Sequence, residues 1–79
     1  MEFDFLVDAT GETCPMPLLR AKQQLNKMKA GECVKVLASD AASVRDFASF
    51  ISLSGHVLHS DTVPSSNGND VFQYFITKR

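Results

Sequence analysis

The stretch Phe3-Asp4-Phe5-Leu6-Val7-Asp8-Ala9-Thr10-Gly11-Glu12-Thr13-Cys14-Pro15-Met16-Pro17-Leu18 changes its hydrophobic period partway through, and that change decides the fold. Phe3, Phe5 and Val7 alternate with Asp4, Leu6 and Asp8, the period of two expected of a short strand. Thr10-Gly11-Glu12-Thr13 interrupts it with turn-forming residues. From Pro15 onward Leu18, Ala21, Leu25 and Met28 recur at steps of three and four, while Arg20, Lys22, Gln23, Asn26 and Lys27 fill the opposite side. This is an amphipathic helix, with Gly31 placed to end it. Cys14 is expected at about the N-cap and Pro15 at the first helical position, where a missing N–H costs nothing. Pro17 still falls in the first turn, among N–H groups that have no helical acceptor.

Further along, Cys33 to Ala38 is a valine-rich apolar run interrupted only by Lys35, and it reads as a buried strand. Ser39-Asp40 offers a helix N-cap. Val44, Phe47, Ala48 and Ile51 supply the apolar face of a second helix, which Gly55 closes. His56 to Val63 is a third strand and Val71 to Thr77 a fourth. Between them, Asn67-Gly68 within residues 64–69 is a strong hairpin signal, since both residues tolerate positive φ. The order is β-α-β-α-β-β. Two β-α-β crossovers favour parallel pairing and the hairpin requires an antiparallel pair, so a mixed sheet is expected. The predicted architecture is an α/β (α+β) two-layer sandwich, with four strands and both helices on one face. Residues 1–79 are expected to form a single domain.

The chain has 79 residues, 44% of them hydrophobic, with 8 basic and 9 acidic side chains and a formal net charge of −1. Scattered, balanced charge argues against a protein built to grip nucleic acid, which needs a clustered basic face. The N-terminus has neither a basic leader nor a long apolar core, and no apolar run approaches the roughly 20 residues of a membrane span. Two cysteines are too few for a disulfide scaffold, so a reducing, cytoplasmic location with free thiols is expected.

Of the two thiols, Cys14 stands between a turn and a helix N-terminus, where a thiolate is stabilised. Cys33 opens a buried strand with no adjacent base and reads as structural. There is no Cys-x-x-Cys pair and no zinc-like ligand set, so neither a metal nor another cofactor is expected. A lone nucleophile without a resolving thiol suits a terminal sulfur held as a persulfide, because a neighbouring cysteine would discharge it as a disulfide. Cys14 and Arg20 share the Cys-x5-Arg spacing of a phosphatase loop. However, Pro15 and Pro17 remove two backbone donors and no glycine lies between Cys14 and Arg20. His56 and His59, three apart on a strand, should point to opposite faces. Arg45-Asp46 reads as an exposed charge pair on the second helix and a candidate partner contact.

Val7-Asp8-Ala9-Thr10-Gly11 followed by Cys14-Pro15-Met16-Pro17 resembles the Cys-Pro-x-Pro signature of the TusA-like (SirA-like) sulfur carriers. Gly31-Glu32, Ser43-Val44-Arg45-Asp46-Phe47 and Phe72 to Lys78 extend the resemblance over nearly the whole chain. It implies a two-layer sandwich similar to the C-terminal domain of translation initiation factor three. It also implies a sulfurtransferase-type carrier in which Cys14 accepts sulfane sulfur from a cysteine desulfurase or a rhodanese-type donor. The sulfur then passes to a downstream acceptor protein, for tRNA 2-thiouridine formation, molybdenum-cofactor maturation or sulfur oxidation. Many members carry Glu where this chain has Met16, and many a proline where it has Ala41-Ala42, so the identity of the partner is open. Met16 suggests an apolar docking rim. An RNA-binding module and a redox-regulatory domain are the alternative functions.

Overall fold

The computed structural model describes residues 2–13, 15–63 and 70–79. Its elements are β1 (Phe5–Ala9), α1 (Met16–Asn26), β2 (Cys33–Ala38), α2 (Ala42–Ser54), β3 (Val57–Val63) and β4 (Val71–Thr77). The order and type of all six match the sequence expectation. The strands form one mixed sheet in the spatial order β1-β2-β4-β3. β1 and β2 are parallel, with Phe5 opposite Val34 and Ala9 opposite Ala38. β4 is antiparallel to both β2 and β3. The second crossover therefore leaves β3 running parallel to β2 but not paired with it, and the returning β4 fills the gap between them.

That placement puts the two most buried strands at the centre of the sheet. Val34, Val36 and Ala38 of β2 face the helices, in register with Ile76, Tyr74 and Phe72 of β4. Phe5 and Val7 of β1 pack against the same cluster. α1 contributes Ala21 and Leu25, the turn after it contributes Met28, and α2 contributes Phe47. The Phe47 ring stacks on Tyr74 with centroids 4.2 Å apart and planes 10° from parallel, an arrangement favourable beyond the area it buries.

Five boundaries differ from the sequence reading; among them β3 begins at Val57 and not His56. β1 begins at Phe5 and not Phe3: Asp4 donates its N–H to the Cys33 carbonyl and its carboxylate accepts the Cys33 N–H, which bends the chain. Phe3 consequently joins the other face of the sheet, tilted against Phe75 with the Lys35 ammonium 5.2 Å from its ring centroid. The N-cap of α1 is Pro15, with Pro17 at the second helical position and buried. α1 ends at Asn26, before Gly31. In α2 the N-cap is Ala41, although Asp40 Oδ1 still accepts the Ala42 N–H at 2.9 Å. Val44, assigned from periodicity to the apolar face, is 49% exposed, and Ser43 is buried in its place. Ser43 is tolerated because its hydroxyl bonds the Tyr74 hydroxyl at 2.8 Å. Burial raises the pKa of that tyrosine, with the Asp46 charge adding to the effect and the Ser43 bond opposing it.

α2 closes on Gly55, whose φ of 78° is open to glycine and strained for other residues. The hairpin expected at 64–69 lies outside the described residues; the Val63–Val71 pair flanks it.

Candidate functional site

Because β1 and β2 are parallel, the segment after each leaves from the same end of the sheet, and both helices start there. The segment after β1 is built around Asp8. Its Oδ1 accepts the Thr10 hydroxyl at 2.6 Å and the Thr10 N–H at 3.1 Å, an Asx-type turn. The side-chain bond first, and the backbone bond second, hold the Asp8 carboxyl below its ordinary pKa. Gly11 follows with φ at 83° and donates its N–H to Ser39 Oγ at 2.8 Å. Ser39 belongs to the segment between β2 and α2, so this bond ties the two connections together. Glu12 N–H bonds the Ala9 carbonyl at 3.2 Å and completes the reversal.

Glu12 then reaches forward to α1. Its Oε2 lies 2.5 Å from Arg20 Nε and its Oε1 accepts from Arg20 Nη2 at 2.6 Å, a bidentate fork. The hydrogen bond and the carboxylate charge both raise the guanidinium pKa, so Arg20 stays charged. Between these partners in the chain lies Cys14, which is outside the described residues. On its two sides, Met16 N–H bonds the Thr13 carbonyl at 2.9 Å and Leu19 N–H bonds the Pro15 carbonyl at 3.0 Å. Met16 and Leu19 are 40% and 43% exposed, large apolar side chains on the first turns of α1.

Arg45 is exposed and Asp46 half-buried, and both line a groove of about 600 Å³ with Ala41, Ala42, Val44 and Ala48. Cys33 is a free, buried thiol at the start of β2, the end of the sheet remote from the turn. His56 Nδ1 accepts the Arg79 N–H at 3.0 Å, and His59 tilts against Phe75 on the other face of the sheet. Among the described residues no group of three or more His, Cys, Asp or Glu side chains is placed to hold a metal. No helix among them is long and apolar enough to cross a membrane. The phosphatase alternative loses further ground, since the arginine of Cys-x5-Arg is committed to Glu12.

Sequence reasoning missed the Ser39–Gly11 bond and the Glu12–Arg20 fork. The fork had a signal, opposite charges on either side of Cys14 across a turn. The Ser39 bond joins residues 28 apart and had none.

This turn-and-helix site on a mixed four-stranded sheet defines a class, and comparison with known proteins gives that class its family. The chain matches the family described as Sulfurtransferase TusA over residues 6–78. It is 39% identical over 77 residues to the sulfur carrier protein TusA of Allochromatium vinosum, covering 98% of this chain and 96% of that one. It is 33% identical over 76 residues to the sulfur carrier protein TusA of Pseudomonas putida, covering 96% and 90%. The crystal structure of a SirA-like protein from Desulfitobacterium hafniense superposes with a TM-score of 0.72 at 26% identity, over 96% of this chain and 100% of that one. The chain belongs to the TusA family.

Proposed function

We propose that this protein is a sulfur carrier and that Cys14 is the residue that bears the sulfur. The observation carrying this reading is the near full-length match to proteins named as sulfur carriers. The chemistry is a thiol exchange. The Cys14 thiolate attacks the terminal sulfur of a donor persulfide, the donor thiolate leaves, and Cys14 holds the new persulfide. An acceptor thiolate then attacks that terminal sulfur and restores the Cys14 thiolate. No net oxidation occurs at either step.

The placement of Cys33 supports the reading. It opens β2, while the Asp8–Glu12 turn sits beyond the other end of that strand, about 16 Å away by strand rise. A buried thiol so placed is poorly suited to resolve a persulfide at the turn. Pro15 and Pro17 stiffen the start of α1 on the far side of Cys14. Met16 and Leu19 supply an apolar rim, and Arg45 and Asp46 place charged groups in an otherwise apolar groove, for protein partners. The expected partners are a cysteine desulfurase or rhodanese-type donor and a downstream acceptor protein in the cytoplasm, with residues 1–79 acting as one domain.

The test is transfer. After incubation with a cysteine desulfurase and cysteine, the protein is isolated and offered to a thiol acceptor, and sulfane sulfur is counted before and after. Wild type and Cys33→Ser are expected to load and discharge, and Cys14→Ser to do neither. Loading of Cys14→Ser to the wild-type level would remove Cys14 from the role. RNA binding that survives loss of Cys14, with no sulfur uptake, would favour the RNA-binding alternative.

A further inference from the structure

Both helices pack on one face of the sheet, and among the described residues no element covers the other. Side chains alternate along each strand, so the register places one row across that open face: Leu6, Lys35, Phe75 and His59. Phe3 tilts on Phe75 with ring centroids 6.4 Å apart, and His59 tilts on it at 6.1 Å. Lys35 Nζ lies 5.2 Å from the Phe3 ring centroid and 5.6 Å from that of Phe75. Phe75 is thereby hidden by its own row, whereas Phe3, Leu6 and Val57 stay exposed around it. Ring faces attract the ammonium without neutralising it, and among the described residues no carboxylate lies within ion-pair distance of Lys35. A solvated sheet face is ordinarily polar; this one is an apolar shelf with an uncompensated cation at its centre.

We propose that the open sheet face docks a helical segment of a partner protein, one that carries a carboxylate in the middle of an apolar stripe. The stripe covers Phe3, Leu6 and Val57, and the carboxylate meets the Lys35 ammonium. A helix is the element that completes a sheet left bare on one face, and about 10 residues of it span the roughly 15 Å between the edge strands. Charge decides against the other occupants. A second copy brings to Lys35 only strand carboxylates that already hold bonds, Asp8 to Thr10 and Asp61 to the Thr62 N–H. Those two carboxylates stand at the edges of the neighbouring row, Asp8-Leu37-Gln73-Asp61, and repel a nucleic-acid backbone or an anionic bilayer. A single acid at the centre of an apolar segment avoids both edges. Neither this surface nor its test involves Cys14.

The experiment is a titration of the isotope-labelled protein, followed by its amide shifts, with a stapled helical peptide of about 14 residues. The leucine stripe of the peptide is interrupted at its centre by one glutamate, and two further peptides carry glutamine or lysine there. The amides of Leu6, Lys35, Phe75 and His59 are expected to shift. The glutamate peptide should bind about fivefold more tightly than the glutamine one, and the lysine peptide most weakly. Lys35→Met keeps the stem against the rings and removes the charge, so it should erase that order. Leu6→Asp should weaken all three peptides, and Val44→Asp on the helix layer should change nothing, each variant first shown by circular dichroism to be folded. The order of the three peptides on wild type is read without any variant. Equal affinity for the three, no shift at millimolar peptide, or shifts confined to α1 and α2 would overturn the proposal. So would the same amides moving when the protein alone is concentrated, which names a second copy, or moving with oligouridylate or anionic vesicles in place of the peptides.

Discussion

The two ends of the sheet are held in different ways. At the end where β1 and β2 begin, the ties are mostly backbone or partly buried, the Arg79–His56 bond being exposed. Lys78 Nζ donates to the Leu25 and Met28 carbonyls at 2.7 and 2.6 Å, capping the last turn of α1. Lys78 also pairs through its backbone with Gly31 and Glu32, and Arg79 N–H reaches His56. At the opposite end the ties are exposed side-chain bonds: Asp8 to Thr10, Ser39 to Gly11, Glu12 to Arg20 and Asp40 to Ala42. The contrast separates stability from presentation. A carrier needs one end that keeps the sandwich shut and another whose surface can meet two partners in succession.

Substitutions can break or sharpen this contrast. The largest effect is expected at the base, where Lys78→Met removes two charge-assisted bonds, to carbonyls in the last turn of α1 and in the turn after it, and should destabilise by about 2–3 kcal/mol in urea denaturation. Gly55→Ala comes next. A Cβ there would lie 2.5 Å from Arg79 Nη1 and sit on a left-handed backbone, so a loss of about 1–2 kcal/mol is expected from the thermal midpoint. On the rim, Ser39→Ala should cost under about 1 kcal/mol while speeding hydrogen exchange at the Gly11 amide. A global loss as large as that of Lys78→Met would erase the distinction between the ends.

The smallest effect is a dependence on acid. The Asp8 carboxyl has a lowered pKa in the folded state, so its contribution is present above its unfolded pKa and disappears as pH falls through the folded value. Asp8→Asn should therefore flatten the acid limb of the stability curve, below about pH 4, and leave its slope near neutrality unchanged.

Much of this was legible in the sequence because periodicity reports burial directly. Val34, Val36, Ala21, Leu25 and Phe47 all lie in the core that their spacing indicates. Legibility failed where one interaction overrides the pattern. Ser43 is buried only because Tyr74, 31 residues away, supplies a hydroxyl, and Phe3 leaves the strand only because Asp4 bonds Cys33. Neither bond joins near neighbours. For the site, the cysteine, the two prolines and the turn could be read from their order. The Ser39–Gly11 cross-link becomes visible only when the two connections after β1 and β2 are brought to one end.

The central claim is that sulfur resides on Cys14 and not on Cys33. The direct measurement is peptide mapping of the wild-type protein after loading by a desulfurase, with persulfides trapped by alkylation before digestion. The account predicts one added sulfur on the peptide containing Cys14 and none on that containing Cys33. Added sulfur on the Cys33 peptide, with the Cys14 peptide unmodified, would contradict it.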